Sequence, residues 1–301
     1  MALESASSSV GQPSVQLRFF MPSAALAPYV TTFYHMQVEQ AGDAPLVDYL
    51  HPEWANIRIG RKGDLQAGVG QDTLRIVPQF VATGPTSLTT RFSIRTGRFW
   101  GIGLLPLGWL KFVGAPAHNY ADRFCDAAKD PAFSAFEPLT KTLFEKDVDL
   151  ADEAQLIEQH LRGLITPRSD EDEMITRVHA ALVDTNLSSV SELVDTSEMK
   201  IRTLERFSKR VFGFPPKLLL RRQRFLRSLS QFMLDPSLSW LKTLDYQYHD
   251  QAHFVRDFRR FMTMPPNQYR QLDHPILMAA VRGRMEAAGE AVQALHDPQK
   301  T

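Results

Sequence analysis

The chain divides by the period of its apolar positions. Between about Val15 and about Asp122, short β-branched and aromatic runs recur (VQLRFF, YVTTFYHMQV, ANIRIG, FVAT, LTTRFSI, FWGIGLL), separated by Gly, Pro and Asp. That punctuation predicts an antiparallel sheet, sandwich or small barrel. From about Pro131 the pattern turns helical in LTKTLF and EAQLIEQHLRGLI, and TPRSD at 166–170 reads as a hinge. Beyond the hinge nearly every segment carries a helical period. The expected fold class is α+β, with a mainly-β domain over 15–165 that ends in helices and an all-α domain over 171–272. Residues 1–14 read as a disordered leader, and 273–301 as a helical tail packed on the last part of the helical domain, its second repeat, or on a partner.

The helical part contains an internal repeat. LERFSKRVFGFPP (204–216) and FVRDFRRFMTMPP (254–266) align at an offset of fifty, matching Arg206 to Arg256, Arg210 to Arg260 and Pro215-Pro216 to Pro265-Pro266. Each basic helix follows a segment expected to form a short amphipathic helix and a tight turn, SSVSELVDTSEMK in the first copy and SLSWLKTLDYQYHD in the second. Short helix, turn and basic second helix form a helix-turn-helix. Between the copies, PKLLLRRQRFLRSLSQFML (216–234) starts on proline and stops at Asp235-Pro236. Its 19 residues span about 28 Å as a helix, close to the roughly 34 Å between successive major-groove entries.

Composition changes this picture little, and the distribution of charge changes it more. The 301 residues are 44% hydrophobic and carry 34 basic and 34 acidic side chains, a neutral balance. Yet Met199 to Arg227 holds ten basic residues against one acid, Glu205. A basic block in a neutral chain points to a polyanionic partner. A single cysteine, Cys125, excludes a disulfide framework and a four-cysteine zinc site. The polar N-terminus resembles no secretion signal and no run approaches membrane-spanning length, so a cytoplasmic location without membrane contact is expected.

RTLERF…FGFPPK (202–217) and YHDQAHFVRDFRRF…PPNQYR (248–270) resemble the DNA-binding domain of the AraC/XylS family of bacterial transcription regulators. The family usually has Gly where this chain has Gln247 and Thr263. LHPEWANIRI (50–59), ATGPTS (82–87) and GIGLLPLGW (101–109) are similar to the effector domains of one branch, implying a small sensing or dimerising β domain, sandwich or cupin-like. The resemblance implies two helix-turn-helix units joined by a long linker helix, with double-stranded DNA as partner. A small-molecule effector, a second copy of the chain and RNA polymerase are compatible further partners. By family position and helical phase, Lys200, Arg202, Thr203 and Arg206 would face DNA in the first unit, and His249, Gln251, Val255 and Arg256 in the second. Arg suits guanine, Gln suits adenine and Val suits the thymine methyl. Arg210, Arg221, Arg259 and Arg260 are assigned to phosphates.

Other readings of individual residues compete with these. His249 and His253, four apart, lack further ligands for a metal, as do the isolated His35, His51 and His118, so neither a metal nor a cofactor is expected. Asp250 is assigned as a helix N-cap, and His253 as a packed, hydrogen-bonded residue. Leu204, Phe212, Phe254, Phe258, Phe261 and Tyr269 are assigned to the core. Arg222, inside the linker's apolar stripe, is expected to be buried and paired with Glu205, Asp245 or Asp257. His51, Glu53, Trp54 and Arg58 are candidates for an effector pocket, with alternating strand core as the competing explanation. Catalysis is not expected, because Cys125 sits between acids that disfavour a thiolate and no nucleophile–base pair accompanies it. The alternative to effector control is a ligand-independent DNA-binding or partner-binding protein whose β domain only dimerises.

Overall fold

The computed structural model describes residues 14–40, 42–61, 63–145, 148–235 and 237–299. The expected leader lies almost wholly outside these residues. The chain is mainly β in its N-terminal part and helical thereafter. The strands are β1 (Ser14–Phe20), β2 (Val30–Glu39), β3 (Leu46–Leu50), β4 (Ala55–Arg61), β5 (Gln66–Val69), β6 (Arg75–Ile76), β7 (Phe80–Thr83), β8 (Thr90–Ile94), β9 (Thr96–Leu104) and β10 (Phe124–Asp126). They form two antiparallel sheets, ordered β1-β2-β9-β4-β7-β10 and β3-β8-β5-β6. In the larger sheet Ile57 pairs with Ile102 and Ile59 with Trp100, placing the apolar residues of β4 and β9 side by side on one face. The β1, β2, β4, β7, β8 and β9 runs are those the apolar pattern marks. The short β3, β5, β6 and β10 carry too few residues for a period.

The helices are α1 (Pro106–Phe112), α2 (Glu137–Thr142), α3 (Leu150–Arg162), α4 (Asp170–Val183), α5 (Val190–Ser197), α6 (Ile201–Phe212), α7 (Pro216–Leu234), α8 (Gln251–Met262), α9 (Pro266–Arg270) and α10 (Pro275–Ala288). Helix α5 starts with a capping box between Ser189 and Glu192. The α6–α7 and α8–α9 pairs repeat at the offset of fifty, and each Pro-Pro both ends one helix and occupies the first turn of the next. The left-handed residue that ends α6 is Gly213, at φ +84°. Its counterpart after α8 is Thr263, forced to φ +60° despite its branched side chain.

Two sequence expectations are corrected. The segment SLSWLKTLDYQYHD forms turns, not a helix, so the second unit lacks a regular first helix. Polar side chains there serve the local backbone instead: Asp245 accepts from Gln247 N at 3.0 Å and Thr243 Oγ1 donates to Trp240 O at 3.1 Å. The tail helix α10 packs chiefly on β1 and β3, and also against α7, not on the second unit alone. Asp48 of β3, fully buried, caps it by accepting from Ile276 N at 3.0 Å and Leu277 N at 2.8 Å. The core is also shared. One apolar cluster runs from Trp54, Ile57 and Trp100 through Phe212 and Phe225 to Phe258 and Tyr269. A smaller one joins Met36, Phe92 and Ile94 to Ile276 of the tail.

Candidate nucleic-acid interface

Helices α6 and α8 each bury one stripe and expose a basic one, because their apolar residues recur at helical spacing. On α6, Leu204, Phe207, Val211 and Phe212 are buried, while Arg202, Thr203 and Arg206 are exposed, with Lys200 exposed at the N-cap. On α8, Phe254, Phe258 and Phe261 are buried, while Gln251, Arg256, Arg259 and Arg260 are exposed. Asp250 caps α8 as expected, accepting from His253 N at 2.6 Å. Val255 is half-buried against the core, so its methyl groups are only partly presented. His249 is exposed just before the cap, its ring 6.1 Å from that of His253. His253 is half-buried, its Nε2 at 3.1 Å from an Arg224 guanidinium nitrogen. Among the described residues no group of three or more His, Cys, Asp or Glu side chains is placed to hold a metal ion.

Two of the assigned phosphate residues are engaged within the protein. Arg210 pairs with Glu171. Arg221 pairs with Asp257, a fully buried acid of α8 that also receives Arg224 at 3.2 Å and the Tyr248 hydroxyl at 3.2 Å. Arg227 pairs with Asp245. The basic face of α7 therefore fastens the second unit to the linker, and less of the local charge excess faces outward than the sequence count suggests. The acids that neutralise it lie outside the window in which the excess is counted, Glu171 upstream and Asp245 and Asp257 downstream.

Arg222 is fully buried, as expected, but its partners differ from the expected acids. One guanidinium nitrogen donates to Thr86 O at 2.9 Å, and the guanidinium lies 4.0 Å from the centre of the Trp54 ring. Glu205, Asp245 and Asp257 do not reach it, since Asp245 and Asp257 are taken by the neighbouring Arg227, Arg221 and Arg224. Burial pushes its pKa down to about 9, against the attraction of Asp122.

Thr86 belongs to a loop, 84–89, that touches both units. Phe261 O at the end of α8 accepts from Thr89 N at 2.7 Å. At the end of α6, a Cβ on Gly213 would lie 2.5 Å from the Pro85 ring. Asp122 stiffens the loop by accepting from Ser87 N at 2.6 Å, Ser87 Oγ at 2.8 Å and Leu88 N at 3.1 Å. The two basic helices are thus anchored at their C-terminal ends on one loop, with their N-terminal halves outward. Trp54, with Phe212 at 5.8 Å and His179 at 5.1 Å, and the Lys111–Asp172 ion pair at 2.7 Å complete the seam.

Residues 193–272 match the family model described as a helix-turn-helix domain. The match covers α6, the linker α7 and α8 with their exposed basic faces. This segment is a helix-turn-helix domain. Comparison with curated proteins found no match. Among solved structures, ToxT from Vibrio cholerae aligns over 86% of this chain and 98% of its own, at 9% identity and TM-score 0.42. ToxT bound to (E)-4-(8-methylnaphthalen-1-yl)but-3-enoic acid aligns at 11% identity and TM-score 0.41.

Away from the helix-turn-helix domain, three of the four candidate pocket residues meet at one cavity. His51, Glu53 and Arg58 line it, whereas Trp54 faces the seam with Phe212 and Arg222. Arg58 donates to Glu53 at 3.0 Å, to the Tyr34 hydroxyl at 2.8 Å and to Thr83 Oγ1 at 3.1 Å. His51 lies 2.9 Å from the Tyr269 hydroxyl, and burial lowers its pKa to about 3, so it is neutral. The tail residues Ile276, Val281 and Arg284, which no motif marks, form the opposite wall. Cys125 lies elsewhere, and burial, with Asp130 nearby, pushes its thiol up to about 11.

Proposed function

We propose that this chain regulates transcription by sequence-specific DNA binding, with α6 and α8 entering adjacent major grooves. The observation that carries the reading is the pair of basic helices fifty residues apart, each anchored at its C-terminal end and exposed at its N-terminal half. Lys200, Arg202, Thr203 and Arg206 read one half-site, and Gln251 and Arg256, with His249 and partly exposed Val255, read the other. Arg259 and Arg260 hold phosphates, and Arg210 and Arg221 add to this only by leaving their acids. The β region senses a small molecule at the cavity bounded by His51, Glu53 and Arg58. Loop 84–89 joins β7 to β8, both of which line that cavity, and so is placed to pass its state to both units. A gel-shift assay tests the reading. Arg206→Ala and Arg256→Ala should each weaken binding to the preferred site by about 1–3 kcal/mol and relax its sequence preference. Intact preference in both variants would overturn the assignment.

A further inference from the structure

The cavity between the β region and the tail has an unbalanced charge. Its volume is about 120 Å³, and its lining is largely apolar, with Phe19, Phe92, Phe99 and Val281 among the contributors. Three charged side chains line it: Glu53, Arg58 and Arg284. Glu53 is spent on Arg58, which it meets at 3.0 Å. Arg284, nine-tenths buried on α10, donates to Thr32 Oγ1 at 3.1 Å and lies over the Phe19 ring at 5.1 Å. No carboxylate among the described residues forms an ion pair with it. A buried cation without an ion-pair partner is costly, and burial lowers its pKa against the attraction of Glu53. The net charge of the lining is therefore positive, since His51 is neutral.

We propose that this cavity binds a compact apolar carboxylate about the size of a six-membered ring, its carboxylate paired with Arg284 and its body among the phenylalanines. The proposal rests on reading the β region as a sensor and names the ligand class that the sensor takes. Size follows from volume: an apolar cavity of about 150 Å³ admits benzene. Charge follows from the unpaired guanidinium, whose fork geometry suits a carboxylate. The site is composite, because the guanidinium comes from the tail. The tail starts within a few residues of α9 and is capped by Asp48, so a ligand held by Arg284 also holds the tail onto the β sheet.

The test uses the full chain and three isosteres: cyclohexanecarboxylate, cyclohexylmethanol and cyclohexylmethylamine. Calorimetry and thermal shift should show the carboxylate binding at least tenfold more tightly than the alcohol, with no binding of the amine. Arg284→Met should abolish that tenfold preference while leaving the alcohol's affinity unchanged. Ala280→Phe, which fills the cavity from the tail side, should abolish binding of both while the protein still melts cooperatively. Equal affinity for carboxylate and alcohol, retained binding in Ala280→Phe, or no binding by any of the three would overturn the proposal. If Arg284→Met does not fold, the ligand series and Ala280→Phe still decide. A gel shift on the same preparation separates the two claims. DNA binding without carboxylate binding counts against the cavity alone, and carboxylate binding without DNA binding counts against the regulator.

Discussion

Mild acid should loosen this protein through its buried histidines. His51 and His179 are held to pKa values of about 3 and His35 to about 4, in each case chiefly because burial penalises the charged ring. Permanently charged neighbours add to it, Arg222 for His179 and Arg98 and Arg18 for His35. In the unfolded chain each imidazole titrates near ~6.5. The unfolded state therefore binds more protons below that value, and folding stability falls as pH falls from about 7 toward the folded-state values. Between about pH 8 and 5.5 each ring costs about 1.4 kcal/mol, and the three together about 4 kcal/mol, a sizeable share of a typical ~5–15 kcal/mol stability. Most carboxylates titrate below this window. Urea unfolding at the two pH values measures the loss. His179→Phe should remove about a third of it, since His179 packs between Trp54 and Phe212 and its Nε2 has no hydrogen-bond partner among the described residues. Stability that stays flat across the window, or a loss unchanged in His179→Phe, would refute the reasoning.

Other perturbations probe single features. Asp257→Ala strands Arg221, Arg224 and the Tyr248 hydroxyl. It should cost about 3 kcal/mol in denaturant unfolding, and a double-mutant cycle with Arg224→Ala should show coupling above about 1 kcal/mol. Thr263→Gly relieves a left-handed branched residue and should stabilise the chain by about 1 kcal/mol, whereas Gly213→Ala, whose Cβ meets Pro85, should destabilise it by at least that much. The logarithm of the DNA-binding constant should fall linearly with the logarithm of salt concentration, and Arg259→Ala should reduce that slope by about one.

The sequence reveals the helical region further than the β region for a physical reason. Helices α6, α7 and α8 each repeat their apolar period several times, and their Pro-Pro stops mark the boundaries. The exposed residues of α6 and α8 follow from helical phase alone. Three features escape this reasoning because they depend on contacts far along the chain. Arg222 has the spacing of a core residue, so its burial is readable, but Thr86 and Trp54 lie more than a hundred residues away. Asp257 reads as one acid in a basic helix, and only the fold shows it closing on α7. Arg284 sits in a tail with no motif, and its place in the cavity follows from Asp48 capping α10. The missing first helix of the second unit has a local cause. The side chains of Asp235, Thr243 and Asp245 satisfy the backbone in turns, which overrides a weak helical period.

The central claim is that two helices of one chain read two half-sites. Hydroxyl-radical footprinting on a site selected in vitro from random DNA tests it most directly. The account predicts two protected patches about ten base pairs apart on one face of the duplex, with Arg206→Ala erasing sequence preference in one patch and Arg256→Ala in the other. A single protected patch, or both substitutions affecting the same patch, would contradict it.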